Sequence, residues 1–263
     1  MLYYSNYFYN FQFSLMINKF LKKIIGFFGY KLVSKDLIKN TRIVNNKSYL
    51  SLNKVLDLIF KKNIKSLIQI GANDGIRFDW VNKHIKKYNI NALLVEPIEE
   101  YFSNLKINYS NYNNVILENC AISVNNEISY LYKVNTKKIG PKNTHLLGVA
   151  SFEIKHLLKH GVKKSDIIKE SVNSMSIKNL IDKYKFYNFE LLIIDAEGYD
   201  ANIVIDFISS TSFRPVIILE YIHIKSIIFT KMINLLEKNN YNFFSINENL
   251  FCFPNEKDFL LSN

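Results

Sequence analysis

Ser66-Leu67-Ile68-Gln69-Ile70-Gly71-Ala72-Asn73-Asp74-Gly75 sets the architecture of this chain. A short apolar run that stops at a glycine is the signature of a strand buried on both faces and feeding a tight turn. The pattern returns at 92–95, ending at Glu96-Pro97, and at 115–120, leading into Ala121-Ile122-Ser123. It returns again at 191–194, ending at Asp195, and at 215–219, ending at Glu220. The intervals have helical spacing. Ile76, Trp80, Val81, Ile85 and Tyr88 share one side of the first, and Tyr101, Leu105 and Tyr109 mark the second. Ile177, Leu180, Ile181 and Tyr184 mark a later helix, followed by one over 201–208 and one through Ile227, Ile228, Met232, Leu235 and Leu236. Alternation of this kind predicts an α/β fold, a mostly parallel sheet with helices on both faces.

Two stretches break the rhythm. Residues 128–134 alternate and read as an added strand or hairpin arm, and 135–175 form a long, polar, Lys-rich insertion. Insertions of that length in a compact domain tend to be binding segments or lids. At the end, 243–246 and 250–253 around Asn247-Glu248-Asn249 read as a hairpin. A dinucleotide dehydrogenase would continue strand-helix-strand to its end instead. The chain therefore divides into an N-terminal segment, 1–50, and one domain, 51–263, that contains the insertion.

In the N-terminal segment, Ile17, Phe20, Leu21, Ile24 and Phe28 fall on one helical face, with Asn18, Lys19, Lys22 and Lys23 on the other. The three lysines argue against a transmembrane span, and the order of charge and apolar residues is not that of a signal peptide. Two readings of 14–30 stand: a helix packed on the domain, or a basic amphipathic helix resting on an anionic membrane surface. The expected location is cytoplasmic, with the inner face of the membrane as the second option.

The 263 residues, 48% hydrophobic and 22% charged, suit a folded domain. Cys120 and Cys252 cannot make a disulfide framework, and neither lies in a zinc-binding pattern. The net charge of +11 invites a nucleic-acid partner, yet only three of 34 basic residues are arginines, Arg42, Arg77 and Arg214. Readers of phosphate and base edges favour the arginine fork, and these lysines are scattered, which points away from nucleic acid.

In an open parallel sheet, ligands bind beyond the carboxyl ends of the strands. Those ends carry Gly71 to Gly75, Glu96, Asn119 to Ala121, Asp195 and Glu220. The first loop has two glycines, so it is neither the dinucleotide fingerprint nor a phosphate-binding P-loop. Taken alone it suits a plain strand-to-helix turn equally well. Glu96, at the end of the second strand, is placed to accept hydrogen bonds from the hydroxyls of a ribose; otherwise it is a carboxylate at a helix start.

With these segments in view, the chain resembles the FkbM family of methyltransferases. The matching stretches are LIQIGANDGI (67–76), LLVEPIEEYFSNLKINY (93–109), ENCAIS (118–123), ASFEIKHLLKH (150–160), LLIIDAEGYD (191–200) and RPVIILEYIH (214–223). The resemblance implies a Rossmann-like methyltransferase fold, a seven-stranded, mostly parallel sheet with an antiparallel terminal strand. It also implies S-adenosylmethionine as methyl donor and a hydroxyl acceptor, usually a sugar. By that resemblance Gly71, Ala72, Asn73, Asp74 and Gly75 cradle the methionine part, with Gln69 beside it; many members have Asp where this chain has Gln69. Glu96 would hold the ribose, and Asn119, Cys120 and Ala121 the adenine.

Methyl transfer to a hydroxyl needs a base, because a neutral alcohol is a poor nucleophile. Asp195, with Glu197 beside it, is the first candidate; otherwise Asp195 anchors the cofactor and Glu197 caps the next helix. His156, in the insertion, and His223, after the fifth strand, are further candidates, with solvated surface histidines as the plain alternative. Asp195, Glu197 and Glu220 offer oxygen ligands suited to Mg²⁺, although nothing in the sequence requires a metal. Neither a Pro-Pro-Tyr-like turn nor a cysteine follows the fourth strand, which disfavours methylation of nucleic-acid bases. A degenerate fold serving as a membrane-surface scaffold is the non-catalytic alternative.

Overall fold

The computed structural model describes residues 43–44, 47–48, 52–61, 64–77, 79–124, 128–138, 146 and 148–255. The amphipathic stretch at 14–30 lies outside them. Ile43–Val44 and Lys47–Ser48 form a two-residue antiparallel pair. No helix among the described residues is long and apolar enough to cross a membrane.

The core of the domain is a sheet of seven strands, which we number with the helices in chain order from residue 52. α1 (Leu52–Lys61) leads into β1 (Ser66–Ile70), α2 (Asn82–Tyr88) into β2 (Asn91–Val95), and α3 (Glu99–Asn108) into β3 (Val115–Glu118). After a short β4 (Ala121–Ile122) come β5 (Ser129–Val134), β6 (Ala150–Ser151), α4 (Ile154–Lys159), β7 (Ile167–Val172) and β8 (Ser174–Met175). The alternation resumes with α5 (Ile177–Tyr184), β9 (Leu191–Ile194), α6 (Asp200–Ser210), β10 (Val216–Glu220) and α7 (Ser226–Lys238). β11 (Tyr241–Ile246) and β12 (Asn249–Pro254) close the chain.

The sheet order is β11-β12-β10-β9-β1-β2-β3, and the neighbours from β10 to β3 pair in parallel. β12 runs antiparallel to both β10 and β11, so the reversed strand sits inside the sheet although it is last in the chain. β1, next to the point where strand order reverses, is buried at all five positions, and β9 at all four. Successive side chains go to opposite layers. Ile68, Ile70, Leu93, Val95, Leu192 and Ile194 pack on the side of α5, α6 and α7. Leu67, Ala92, Leu94, Leu191 and Ile193 pack on the side of α1, α2 and α3.

Several elements differ from the sequence expectation. α1 was not foreseen, although it buries Val55, Leu56, Ile59 and Phe60. The helix expected from Ile76 begins at Asn82, and Ile76 is exposed. Asp79 is the reason: its Oδ1 accepts from the amides of Val81 (2.7 Å) and Asn82 (3.2 Å), a turn that precedes the helix. Ile227 on α7 is 86% exposed, whereas Met232 and Leu236 are fully buried. The expected third strand over 115–120 stops at Glu118; Ala121–Ile122 leaves the sheet and pairs in parallel with Ser174–Met175.

The insertion is not a loop. β5 pairs antiparallel with β7 along its whole length and with β6 at one end, and α4 packs beside them. Val134, Leu146, Val149, Leu157 and Val162 give this lobe its own small apolar core.

Candidate active site

A cavity of about 530 Å³ opens at the carboxyl ends of β1, β2, β9 and β10, and its far wall is the β5–α4 lobe. The loop after β1 forms its floor. Gly71 and Ala72 donate backbone hydrogen bonds to Val95 O (2.9 and 3.0 Å), and Asp195 N donates to Ile70 O (3.0 Å). Gly71 has φ +82°, and a Cβ there would lie 1.9 Å from Asp195 O. No other residue satisfies both the left-handed backbone and that approach.

Glu96 is buried at the end of β2, with both oxygens held. Asn73 N donates to Oε2 and Ile98 N to Oε1, each at 2.9 Å. A carboxylate has about four acceptor positions, so capacity remains for two further donors from the cavity. Burial pushes its pKa up to about 7; the two amides lower it, and the charges of Asp195 and Glu170 raise it.

At the Gly71 end, Gln69 Oε1 and Asp79 Oδ2 are buried without a hydrogen-bond partner, and both residues line the cavity. Burial raises the Asp79 pKa, while the Val81 and Asn82 amides and the Gln69 amide lower it. Asp79 was missed by sequence reasoning. It brings a carboxylate to the place where Gln69 brings none, and its only sequence signal was a polar residue interrupting the expected helix.

The opposite side is acidic. Asp195 is pushed up to about 7, chiefly by burial and then by the charges of Glu197, Asp79 and Glu248, with His156 opposing. Glu220 reaches about 9, again by burial first and then through Asp195, Glu197, Asp200 and Glu248. Glu197, in a left-handed turn at φ 47°, does not cap α6. Nor does any other side chain; Asp200, the first residue of α6, accepts from Ala196 N and Gly198 N, each at 3.1 Å, and so holds the preceding turn.

Glu197 instead meets His156, with Nε2 and Oε2 2.7 Å apart. His156 is therefore a buried, partnered residue and not a solvated one. His223 lies edge-on to it, ring centroids 4.7 Å apart; burial, the adjoining His156 and the more distant His160 lower its pKa, and Glu197 and Glu248 oppose. Gly198, at φ +94°, lets the chain pass this group, since a Cβ there would meet His223 O at 3.3 Å and His156 Nδ1 at 3.9 Å.

Of the residues singled out by sequence, Gln69, Gly71, Ala72, Asn73 and Glu96 line the cavity at the ends of β1 and β2. Cys120 and Ala121 line it next to β4, and Asp195, Glu197 and His223 line the other side. Asp74, Gly75, Asn119 and His156 stand behind the wall. Asp74 Oδ1 accepts from Ile76 N and Arg77 N, which shapes the loop, and Asn119 Nδ2 donates to Glu96 O at 3.0 Å. His160 and Glu248 line the cavity and were not foreseen.

The model of the methyltransferase FkbM domain matches residues 69–243, well over half of the chain. A comparison with curated proteins found no significant match. Among solved structures, the chain is similar to methyltransferase FkbM from Methylobacillus flagellatus KT, with 10% identity, TM-score 0.45, and coverage of 72% of this chain and 44% of that one. The chain thus spans less than half the length of that protein. It is also similar to an O-methyltransferase from Bacillus cereus in complex with SAH, with 10% identity, TM-score 0.43, and coverage of 89% and 96%. Precorrin-6y C5,15-methyltransferase from Geobacter metallireducens GS-15 gives 11% identity, TM-score 0.40, and coverage of 80% and 88%. On the family match, this chain belongs to the FkbM methyltransferases, a family that depends on S-adenosylmethionine.

Proposed function

We propose that this chain methylates a hydroxyl group of a saccharide or glycoconjugate, and that donor and acceptor share the cavity at the strand ends. The donor side fits S-adenosylmethionine. The orphaned oxygens Gln69 Oε1 and Asp79 Oδ2 suit an ammonium group, and the spare acceptor positions of Glu96 suit a pair of ribose hydroxyls. The wall at Cys120, Ala121 and Ile122 is apolar enough to lie against adenine. The bound sulfonium supplies an electrophilic methyl carbon.

The observation that carries the O-methylation reading is Asp195, a carboxylate with a pKa of about 7 on the acceptor side. At neutral pH it is ionised often enough to take a proton from a hydroxyl, and basic enough to hold it. Glu220, near 9, stays protonated and can donate a hydrogen bond to the acceptor. His156 positions Glu197, and His223 completes the wall. The choice of a saccharide rests on the habit of the family and not on the shape of the cavity.

Transfer of labelled methyl from S-adenosylmethionine should appear in sugar-nucleotide or glycolipid extracts; label in total RNA instead would overturn the acceptor class. Asp195→Asn should lower kcat roughly 10²- to 10⁴-fold while S-adenosylhomocysteine still binds. Near-normal turnover in that variant removes Asp195 as the base.

A further inference from the structure

We propose that His156, His160, Glu197 and His223 form a binding site for one divalent first-row transition metal ion, of the zinc class, at the acceptor wall of the cavity. Three separate parts of the chain bring these residues together. His156 lies in α4, with His160 one turn later at its C-terminal cap; Glu197 sits in the turn after β9, and His223 follows β10. Histidines four residues apart share one helical face, the spacing with which helices present two imidazoles to one ion.

One ligand atom from each of the four side chains lies within 4.8 Å of all the others. A tetrahedral ion with bonds of about 2.0–2.1 Å requires ligand atoms roughly 3.3 Å apart. Closing the site therefore asks the ligand atoms to draw together by up to about 1.5 Å, and the His156–Glu197 pair is already at 2.7 Å. The rings already meet one another, tilted or edge-on, with centroids 4.7 Å apart for His156–His160 and for His156–His223, and 5.1 Å for His160–His223. Among the described residues this is the group whose ligand atoms come close enough to hold an ion; Asp195, Glu197 and Glu220, which offered oxygen ligands suited to Mg²⁺, form no such group.

Donor chemistry selects the ion. Three imidazoles and one carboxylate make a borderline set that suits Zn²⁺, Fe²⁺, Co²⁺ or Mn²⁺, whereas Mg²⁺ and Ca²⁺ take oxygen ligands. His160, Glu197 and His223 face the cavity, so an ion held there meets whatever occupies the acceptor side. If such an ion took the acceptor hydroxyl as a fifth ligand, or exchanged one of the four side chains for it, it would polarise that hydroxyl and ease loss of its proton. This last role rests on the methyltransferase reading; the binding site itself does not.

The test uses the full chain without a histidine tag, stripped of metal by a chelator and then titrated with Co²⁺ or Zn²⁺. The wild type should take up one equivalent, with visible Co²⁺ absorption that Zn²⁺ displaces. X-ray absorption of the Zn²⁺-loaded protein should show nitrogen and oxygen neighbours with imidazole scattering. His160→Asn and His223→Gln should each weaken binding at least tenfold, while His84→Asn, remote from the site, leaves it unchanged.

Absence of stoichiometric uptake by folded wild type overturns the proposal, as does sulfur at about 2.3 Å. Unchanged affinity in both histidine variants does the same. Wild-type uptake and spectroscopy decide the matter even if the variants fail to fold. Calorimetry with S-adenosylhomocysteine on metal-free protein is the separate arm: loss of cofactor binding there sinks the methyltransferase reading and leaves the metal result standing.

Discussion

At the scale of single residues, the groups that matter are carboxylates held where water is scarce. Glu96 is the clearest case. Its pKa, raised to about 7 by burial, lies above the 4.5 of an exposed glutamic acid. The folded chain therefore holds this proton more tightly than the unfolded chain. That contribution to stability is complete at low pH and is lost as pH rises towards 7. Ligand binding has the opposite sign, because ribose hydroxyls donate best to the ionised carboxylate. Around Glu96 the other charges are Asp195 and Glu170, both of which oppose ionisation. The affinity for S-adenosylhomocysteine should accordingly be roughly tenfold weaker at pH 6 than at pH 8. In Glu96→Gln it should be weak and nearly flat over that range, and calorimetry at several pH values reads both. A wild-type profile that stays flat removes Glu96 from ribose binding.

At the scale of elements, what could be read from sequence follows burial. β1, β2, β9 and β10 are covered by helices on both faces, so each appears as a short apolar run, interrupted in β1 by Gln69, and the strand-end residues Glu96, Asp195 and Glu220 could be placed from it. β7 is the counterexample: Ile167–Val172 reads Ile-Ile-Lys-Glu-Ser-Val, is mostly exposed or half-exposed, and leaves no such run. Its partner β5 was legible only as alternation, which is why the lobe looked like a loop. His160 escaped notice for a related reason, since its neighbours come from α4, the turn after β9 and the segment after β10. Only the fold brings them together. The terminal hairpin was legible because its polar turn is flanked by apolar runs, and it has a mechanical task. Among the described residues β12 is the one partner of the edge strand β11 and joins it to the sheet. Phe251 on β12 is fully buried and stacks on Phe244 of β11, with centroids 5.3 Å apart. Phe251→Ala should cost about 3–5 kcal/mol of stability, read from the urea midpoint with an unchanged slope. A loss below about 1 kcal/mol would mean that the hairpin is dispensable to the core.

At the scale of the whole molecule, the cavity joins parts of the chain that are distant in sequence but adjacent in the sheet. Its floor is the turn after β1, its sides are the ends of β2, β9 and β10, and its wall is the inserted lobe. The ends of parallel strands are natural places for such a seam, because each strand returns to the sheet only after a helical crossover. A ligand touching Gly71, Glu96 and Asp79 adds to the bonds that already join the connection after β1 to the end of β2. If the cofactor occupies this seam, it binds the folded state alone, and its binding energy becomes folding energy. At a concentration 100 times its dissociation constant, S-adenosylhomocysteine should add about 2.7 kcal/mol. For a domain of this size that corresponds to a rise in Tm of roughly 5–10 °C. Differential scanning fluorimetry reads the shift directly. Glu96→Gln at the same ligand concentration should lose most of it, because its dissociation constant rises and the ratio of ligand to dissociation constant falls. Equal shifts in wild type and Glu96→Gln would place the ligand elsewhere on the chain, and no shift in either would separate this cavity from the cofactor altogether.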